Sequence, residues 1–433
     1  MSQYEQRSGT GLVHGISIKS TTTGQSIDIS DLVIETSYYE SLDQPSASIT
    51  LSIVDGIGLR SSLPIIGGET ITFSFSDSER NSRRITGSMQ VYKLTSKTRI
   101  NPGADGYEIF AASPEMLRDQ YTIISNSQES LNVADMAKKI FDDNVASISN
   151  KRLVTLEQTE GTFDSIFPRV SPFTALNYLA DEAKSQDIRS TSNYFFFENS
   201  QGYNFASFQY LMRQPVKKTF YYLENKIAGD RAFERNRIVS MQEDVGFDIL
   251  EGVSSGQFGT QVLSIDPVAK RFRTSTYLYN RDFASYDHSS SNPKLSPQSS
   301  QTFGSSISRE KFIVSNSYRG TIPFVTERDT DSQNVFRRRQ EFLAAETASK
   351  AELMSHVTKI LVHGDSNLSV GDTIEIRIPQ SGESSLRRRQ TDGFSGGKYL
   401  IVALAHRVGP RGLRYGTALE CVKDSYSQPV DGR

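Results

Sequence analysis

The chain has 433 residues, 36% of them hydrophobic and 23% charged, with a formal net charge of −2 and a pI near 6.3. That length accommodates about two to four domains, each able to bury a core. No run approaches the ~18 consecutive apolar residues of a spanning helix, and the near-neutral balance carries no basic field that would draw nucleic acid.

Met1–Thr10 is polar and lacks the apolar core of a secretory signal, so the chain is expected to stay where it is made or to be built into a larger particle. A single cysteine, Cys421, excludes an intrachain disulfide and a multi-cysteine metal site. It falls among Ala418, Leu419 and Val422 in a strand-like pattern and reads as a small buried hydrophobe. Three arginine clusters, Arg231/Arg235/Arg237, Arg337–Arg339 and Arg387–Arg389, read first as solvated faces or loop tips and second as contacts for acidic partner surfaces.

Residues 1–112 alternate apolar and polar, as in Ile27–Ile29, Ala47–Ile53 and Ile71–Phe75, with turns at Gly67-Gly68 and Gly103–Gly106. Period-two alternation broken by Gly and Ser predicts half-buried antiparallel strands, here a small barrel. The pattern changes at Ser113-Pro114. Leu131, Ala134, Ala137/Lys138 and Phe141 recur at helical spacing with Ser130 placed to cap. Ser171-Pro172 opens a second helix whose stripe is Phe173, Leu176, Leu179/Ala180 and Ala183, a core face. Tyr194–Glu198 and Tyr203–Tyr210 flank Gly202 as strand, turn and strand, completing an α/β unit over 113–215.

From about 216 the β pattern returns, through Ile249-Leu250, Val262–Ile265 and Thr276–Tyr279. Residues 284–308, with Ser289–Ser291, Pro293 and Pro297, read as a long exposed loop. Phe336 to Met354 predicts a helix with Phe336, Leu343, Thr347 and Met354 on one face.

One module recurs. Gly67–Ser76 aligns with Val370–Pro379: Gly68 matches Gly371, an acid follows, Thr-Ile repeats, and apolar residues then alternate. An arginine-containing polar loop follows each copy, then a strand (Gly87–Leu94; Lys398–Leu404), a glycine turn and a closing strand (Tyr107–Phe110; Tyr415–Cys421). Gly-acid-Thr-Ile alone is a common way to leave a turn and start a strand; the shared order of elements is what favours a duplication. A second barrel would then be discontinuous, beginning near 216 and finishing by 425.

Phe167–Ala180, Asn193–Phe205, Asn367–Ile374 and the closing strands carry a resemblance in pattern, rather than in identity. The chain resembles the baseplate central hub subunit of T-even-like contractile phage tails and, more distantly, the hub part of type VI secretion spike proteins. The resemblance implies an α+β, mainly antiparallel-β fold with two related β-barrel (tube) domains and two smaller mixed α/β domains. The expected layout is a first tube barrel over 1–112, an α/β domain over 113–215, and a second tube barrel over 216–255 and 350–425. An inserted domain with the serine-rich loop would cover 256–349, and a tail 426–433. The resemblance further implies a homotrimer that forms a pseudo-sixfold ring between a trimeric cell-puncturing spike and a sixfold tail tube. Tube or tube-initiator proteins and baseplate wedge proteins would be further partners, and DNA would pass through the lumen without specific binding. The protein would be made in the host cytoplasm and reside in the virion tail baseplate, with no cofactor, metal or catalytic residue and no membrane anchor.

Two rival readings compete with it. Gly364-Asp365-Ser366 resembles an esterase nucleophile motif with His406 as a base downstream, but the 67 residues after Ser366 read as β rather than the doubly wound sheet such a site needs. A carbohydrate-binding receptor or tail-fibre module would use the 19 tyrosines and 24 phenylalanines for stacking, a reading weakened by the absence of tryptophan. The histidines His14, His288, His356, His363 and His406 are scattered without metal-ligand spacing. No phosphate-binding glycine loop is present, and Asp142-Asp143 and Asp181-Glu182 read as solvated helix positions.

Overall fold

The computed structural model describes all residues except 1–8, 80–81, 96, 148–150, 223–230, 246–247, 268–269, 315–320, 323–324, 328–331, 380–390 and 430–433. Its backbone is organised by one 14-stranded sheet that runs from the N-terminal to the C-terminal part of the chain. Six strands come from the first part: β1 (Gly11–Lys19), β2 (Val33–Ser41), β3 (Ser48–Asp55), β4 (Thr70–Asp77), β5 (Ile85–Leu94) and β6 (Ala104–Ala112). Six come from the last: β7 (Lys218–Tyr222), β8 (Arg237–Val245), β9 (Val357–His363), β10 (Thr373–Arg377), β11 (Gly397–Val408) and β12 (Tyr415–Val422).

The first six pair in the order β1-β4-β5-β6-β3-β2, and the last six in the order β7-β10-β11-β12-β9-β8. Position for position these orders are the same. The last six close into a ring, because β8 also pairs with β7. Among the described residues no pairing joins β1 to β2, so strand pairing does not close the first six into a ring. One direction differs too: β1 is antiparallel to β4, whereas β7 is parallel to β10. The two sets meet where β2 pairs antiparallel with β11, from Thr36↔Val408 to Ser41↔Ala403.

Alternation explains each core. In β3 the odd-numbered Ile49, Leu51 and Ile53 are buried and their even-numbered neighbours half-buried. They pack with Ile18, Ile71, Phe73, Phe75 and Ile109 into one cluster. Ile360, Val362, Ile374, Ile376, Leu400, Leu404 and Leu419 build the corresponding cluster in the ring, where Cys421 is fully buried as expected. Each such side chain contributes about 1.5–3 kcal/mol by leaving water.

A third cluster lies between the two sets in sequence. The helix Pro172–Glu182 starts as read, with Ser171 Oγ accepting from Thr174 N and Pro172 at the first position. The helix before it does not start at Ser130. Ser130 lies within the strand Ile124–Leu131 with φ 54°, and Asn132 caps Val133–Ile140 by accepting from Asp135 N at 2.7 Å. Asparagine wins because the chain leaves the strand two residues later than the apolar spacing implied. Tyr203–Tyr210 likewise splits: Gly202–Ser207 is a strand, and Ser207 caps the helix Phe208–Arg213.

A further group of elements lies between β8 and β9. Ile249-Leu250 opens a helix, Ile249–Ser255, capped by Asp248, rather than a strand. Gly259–Asp266, Arg271–Leu278 and Arg309–Val314 form a three-stranded sheet, backed by the helix Ser332–Met354. Leu343 and Thr347 of that helix are buried, but Met354 at its end is exposed; the side chain of Phe336 lies outside the described residues. The serine-rich stretch is not simply an exposed loop. It contains the helix Pro297–Thr302, and Ser289, Lys294 and Leu295 are buried. Polar composition misled here because the serines and Lys294 are satisfied by buried partners described below.

Candidate assembly surfaces

The β2·β11 seam has a packed aromatic underside. Tyr38 of β2 lies between Phe73, Phe75 and His406, with ring centroids 5.8, 6.4 and 6.3 Å away. The His406 ring is fully buried, and its Nδ1 is hydrogen-bonded to Tyr415 OH at 2.9 Å and Thr417 Oγ1 at 3.1 Å. Burial pushes its pKa down to about 3, so it stays neutral and serves as packing. Ser366 is equally buried, and its hydroxyl donates to Asp77 Oδ2 at 3.3 Å. Each half of the imagined Ser366/His406 pair therefore has a structural partner of its own. The Ser366 hydroxyl cross-links β4 to the loop before β10.

Around this seam the two strand sets are fastened by side chains that the sequence did not mark. Arg83, in the loop between β4 and β5, donates to Ser366 O at 3.2 Å, Ser200 Oγ at 2.7 Å and Ser369 Oγ at 2.8 Å. Asn367 Oδ1 accepts from its backbone N–H at 3.1 Å. Glu40 of β2 accepts from Ser200 N at 2.6 Å and Val370 N at 2.8 Å. Its complete burial outweighs those bonds and the Arg83 charge, and lifts its pKa to about 7. Glu198 accepts from Ala47 N at 2.9 Å, Ser113 Oγ at 3.0 Å and Lys151 Nζ at 2.5 Å, tying β3 to the α/β unit. These partners are separated by 85 to 330 residues wherever they join one unit to another, so no local pattern announces them.

Above the seam an open groove of ≈ 520 Å³ crosses β2, β11, β12, β9 and β8. Its lining includes the small side chains of Ser41, Ala403, Ala405 and Ala418 beside the larger Met241, Ile360 and Leu419.

A second polar junction holds the serine-rich segment to the chain after β12. Asp424 meets His288 Nδ1 at 2.8 Å and accepts from Ser289 N at 2.8 Å. Lys294 Nζ donates to Lys423 O at 2.9 Å and Ser355 Oγ at 2.8 Å. Burial lowers the His288 pKa, but the Asp424 carboxylate more than offsets this and raises it to about 9. The same pair brings Asp424 down to about 2 against its burial.

The other residues singled out from the sequence are dispersed. Arg235 pairs with Glu79 and Arg237 with Glu234, whereas the Arg231 side chain, Arg337–Arg339 and Arg387–Arg389 lie outside the described residues. Asp142 pairs with Lys138 and Asp181 with Lys350, but Glu182 is buried rather than solvated. His14 meets Ser76 Oγ at 3.0 Å and His356 meets Tyr399 OH at 3.1 Å. Among the described residues no group of three or more acidic, histidine or cysteine side chains is arranged to hold a metal, and no helix is long and apolar enough to cross a membrane.

This fold is one found in phage tail proteins. A tail protein from Neisseria meningitidis MC58 superposes with a TM-score of 0.54 at 11% identity, over 95% of this chain and 96% of that one. The 43 kDa tail protein of prophage MuSo2 from Shewanella oneidensis gives 0.52 at 10% identity, over 95% and 99%. Prophage tail protein gp18 from Listeria monocytogenes EGD-e gives 0.48 at 12% identity, over 95% of each chain. No family model matches the sequence, and no curated protein matches it.

Proposed function

We propose that the chain is a structural, non-enzymatic hub subunit of a contractile-tail baseplate. The observation that carries this is the repeated strand order: two six-strand sets, paired alike and joined edge to edge within one chain, on a fold shared with tail proteins over nearly the full length of each. We read the two sets as duplicated tube modules. Three chains would then present six similar modules in a ring. One face of that ring would match a sixfold tail tube, and the true threefold symmetry would remain for a trimeric spike. A central channel would let DNA pass without specific contacts, and wedge proteins would attach outside. On this reading the protein resides in the virion tail baseplate.

Local chemistry supports the duplication. Gly68 and Gly371 have φ of 82° and 90°, the left-handed region that glycine enters at least cost. Gly68 N donates to Val91 O and Gly371 N to Ile401 O, at 2.7 and 3.0 Å. The acid that follows each glycine accepts a backbone N–H from three residues before it: Glu69 from Ile66 N at 2.9 Å and Asp372 from Ser369 N at 2.7 Å.

Light scattering across a concentration series tests the assembly. A mass near three times 48.3 kDa, with images showing a hollow ring of six similar lobes, is the expected result. A monomer at every concentration would overturn the reading.

A further inference from the structure

A second open cavity, of ≈ 410 Å³, shares no lining residue with the seam groove. Three stretches enclose it: residues 279–284 after the strand Arg271–Leu278, the serine-rich residues 291–301, and Pro429 beyond β12. Its size falls within the about 300–1,000 Å³ of small-molecule sites. Although 23% of the chain is charged, none of the described residues that line this cavity carries a charge. Polar capacity comes instead from Asn280, Ser291, Asn292, Ser300 and Gln301, amides and hydroxyls that both donate and accept. The charged residues beside them in the chain are engaged elsewhere. Arg281 donates to Asp282 at 2.7 Å, and buried Lys294 donates to Lys423 O and Ser355 Oγ.

The walls are held in place by the protein itself. The Phe283 ring stacks on His288 with centroids 3.7 Å apart, and Tyr279 OH accepts from Lys294 N at 3.0 Å. Asn292 exchanges backbone hydrogen bonds with Tyr426 at 3.3 and 2.8 Å. Both ends of the Asn280 amide are bonded, Oδ1 accepting from Ser300 Oγ at 3.3 Å and Nδ2 donating to Ser305 Oγ at 3.2 Å. Two groups keep capacity to spare. Asn292 donates through Nδ2 to Tyr426 O at 3.3 Å, but its Oδ1 meets no donor among the described residues. The exposed Gln301 amide has no hydrogen-bond partner among them either. A pocket organised before binding spends little of its affinity on ordering side chains.

That lining selects the chemistry of a ligand. An ion would lose water with no opposite charge to meet it, and a hydrocarbon would leave the amides and hydroxyls unpaired. A neutral molecule with several hydroxyls on a compact carbon ring avoids both costs. We propose that this cavity binds a neutral sugar, as a free monosaccharide or as one unit of an uncharged glycan chain. Asn292 Oδ1 and the Gln301 amide bond its hydroxyls, while its C–H face lies on Pro293, Leu295 and Pro297. The site requires neither a trimer nor a spike, so it stands or falls apart from the hub reading.

The test is saturation-transfer NMR on the full chain with glucose, galactose, mannose and N-acetylglucosamine, and with glucosamine and glucuronic acid as charged controls. At least one neutral sugar should bind with a Kd on the order of 1 mM, and its charged counterparts at least about tenfold more weakly. Gln301→Ala removes an exposed amide and should weaken binding about two- to tenfold. Ala284→Trp, at an exposed wall position, should fill the cavity and abolish binding. Both variants are first matched to the wild-type melt; if Ala284→Trp does not match, Gln301→Ala decides. Linear tetramers of glucose and N-acetylglucosamine separate the two sources. Binding at least about tenfold tighter than the monomer identifies a glycan chain, and equal affinity a free sugar. Transfer to no neutral sugar at about 50 mM, well above that Kd, would overturn the site. So would charged sugars that bind as tightly as neutral ones, or binding unchanged in the variants that match the wild-type melt.

Discussion

Replacing Asp424 by Asn tests how the serine-rich segment is held. The substitution keeps an oxygen to accept from Ser289 N but removes the charge that faces His288. The His288 pKa is about 9 against 6.5 for the free side chain, worth about 3 kcal/mol. The Asp424 pKa is about 2 against 3.8, worth about 2 kcal/mol. The aspartate bears the greater burial cost, which hides part of the attraction in its own shift; a range of about 2–3 kcal/mol covers both. Folded His288 keeps a proton that the unfolded chain releases near pH 6.5, so its contribution is complete below 6.5 and is lost as pH rises through about 9. The Asp424 contribution is complete above about 4 and is lost as pH falls through about 2. Glu352, Lys294 and Lys423 also face this junction and titrate, with pKa values of about 7, 8 and 7; they are common to both proteins and largely cancel in the difference. Urea denaturation at about pH 6 should show the variant less stable by about 2–3 kcal/mol, and at about pH 9.5 the gap should shrink to about 1 kcal/mol or less. An equal gap at both pH values would refute the ion pair as the cause.

Other predictions concern the seam. Arg83→Ala removes a charged donor from Ser366 O and two serine hydroxyls. It should cost about 2–4 kcal/mol in the same denaturation assay, with Arg83→Lys recovering only part because one ammonium cannot span those acceptors. Glu40 has a folded pKa raised to about 7, so it stabilises fully below about pH 4.5 and progressively loses about 3 kcal/mol as pH rises through 7. The Glu40→Gln variant should lack that slope, as shown by melts at about pH 5 and about pH 8.5. Gly371→Ala should destabilise by about 1–3 kcal/mol through its positive φ and the approach to Phe197 at 3.2 Å. Gly15→Ala, which meets nothing within 4 Å, should be close to neutral. Ser366→Ala should leave any ester-hydrolysis background in the preparation unchanged; a loss of turnover in that variant would revive the enzyme reading.

The β architecture was legible because its cause is local. Alternation in β3 and β10 reports burial on one face at every second residue, and a glycine with φ near 82–90° followed by an acid recurs because each copy makes the same tight entry into a strand. The errors arose where two local rules competed. Ile249-Leu250 has strand-like side chains, but Asp248 caps a helix there. Ser289–Ser291 has loop composition, yet Asp424 and Ser425 arrive from 135 residues away to satisfy it. The seam was wholly illegible for the same reason. Glu40 reads as one polar residue in an alternating strand, and Arg83 as one arginine in a polar loop; each acquires its role only when the second strand set arrives. Arg83 and Glu40 secure the seam by reaching Ser369 and Val370 in the loop before β10, and neither partner can be inferred from the residues around it in the chain.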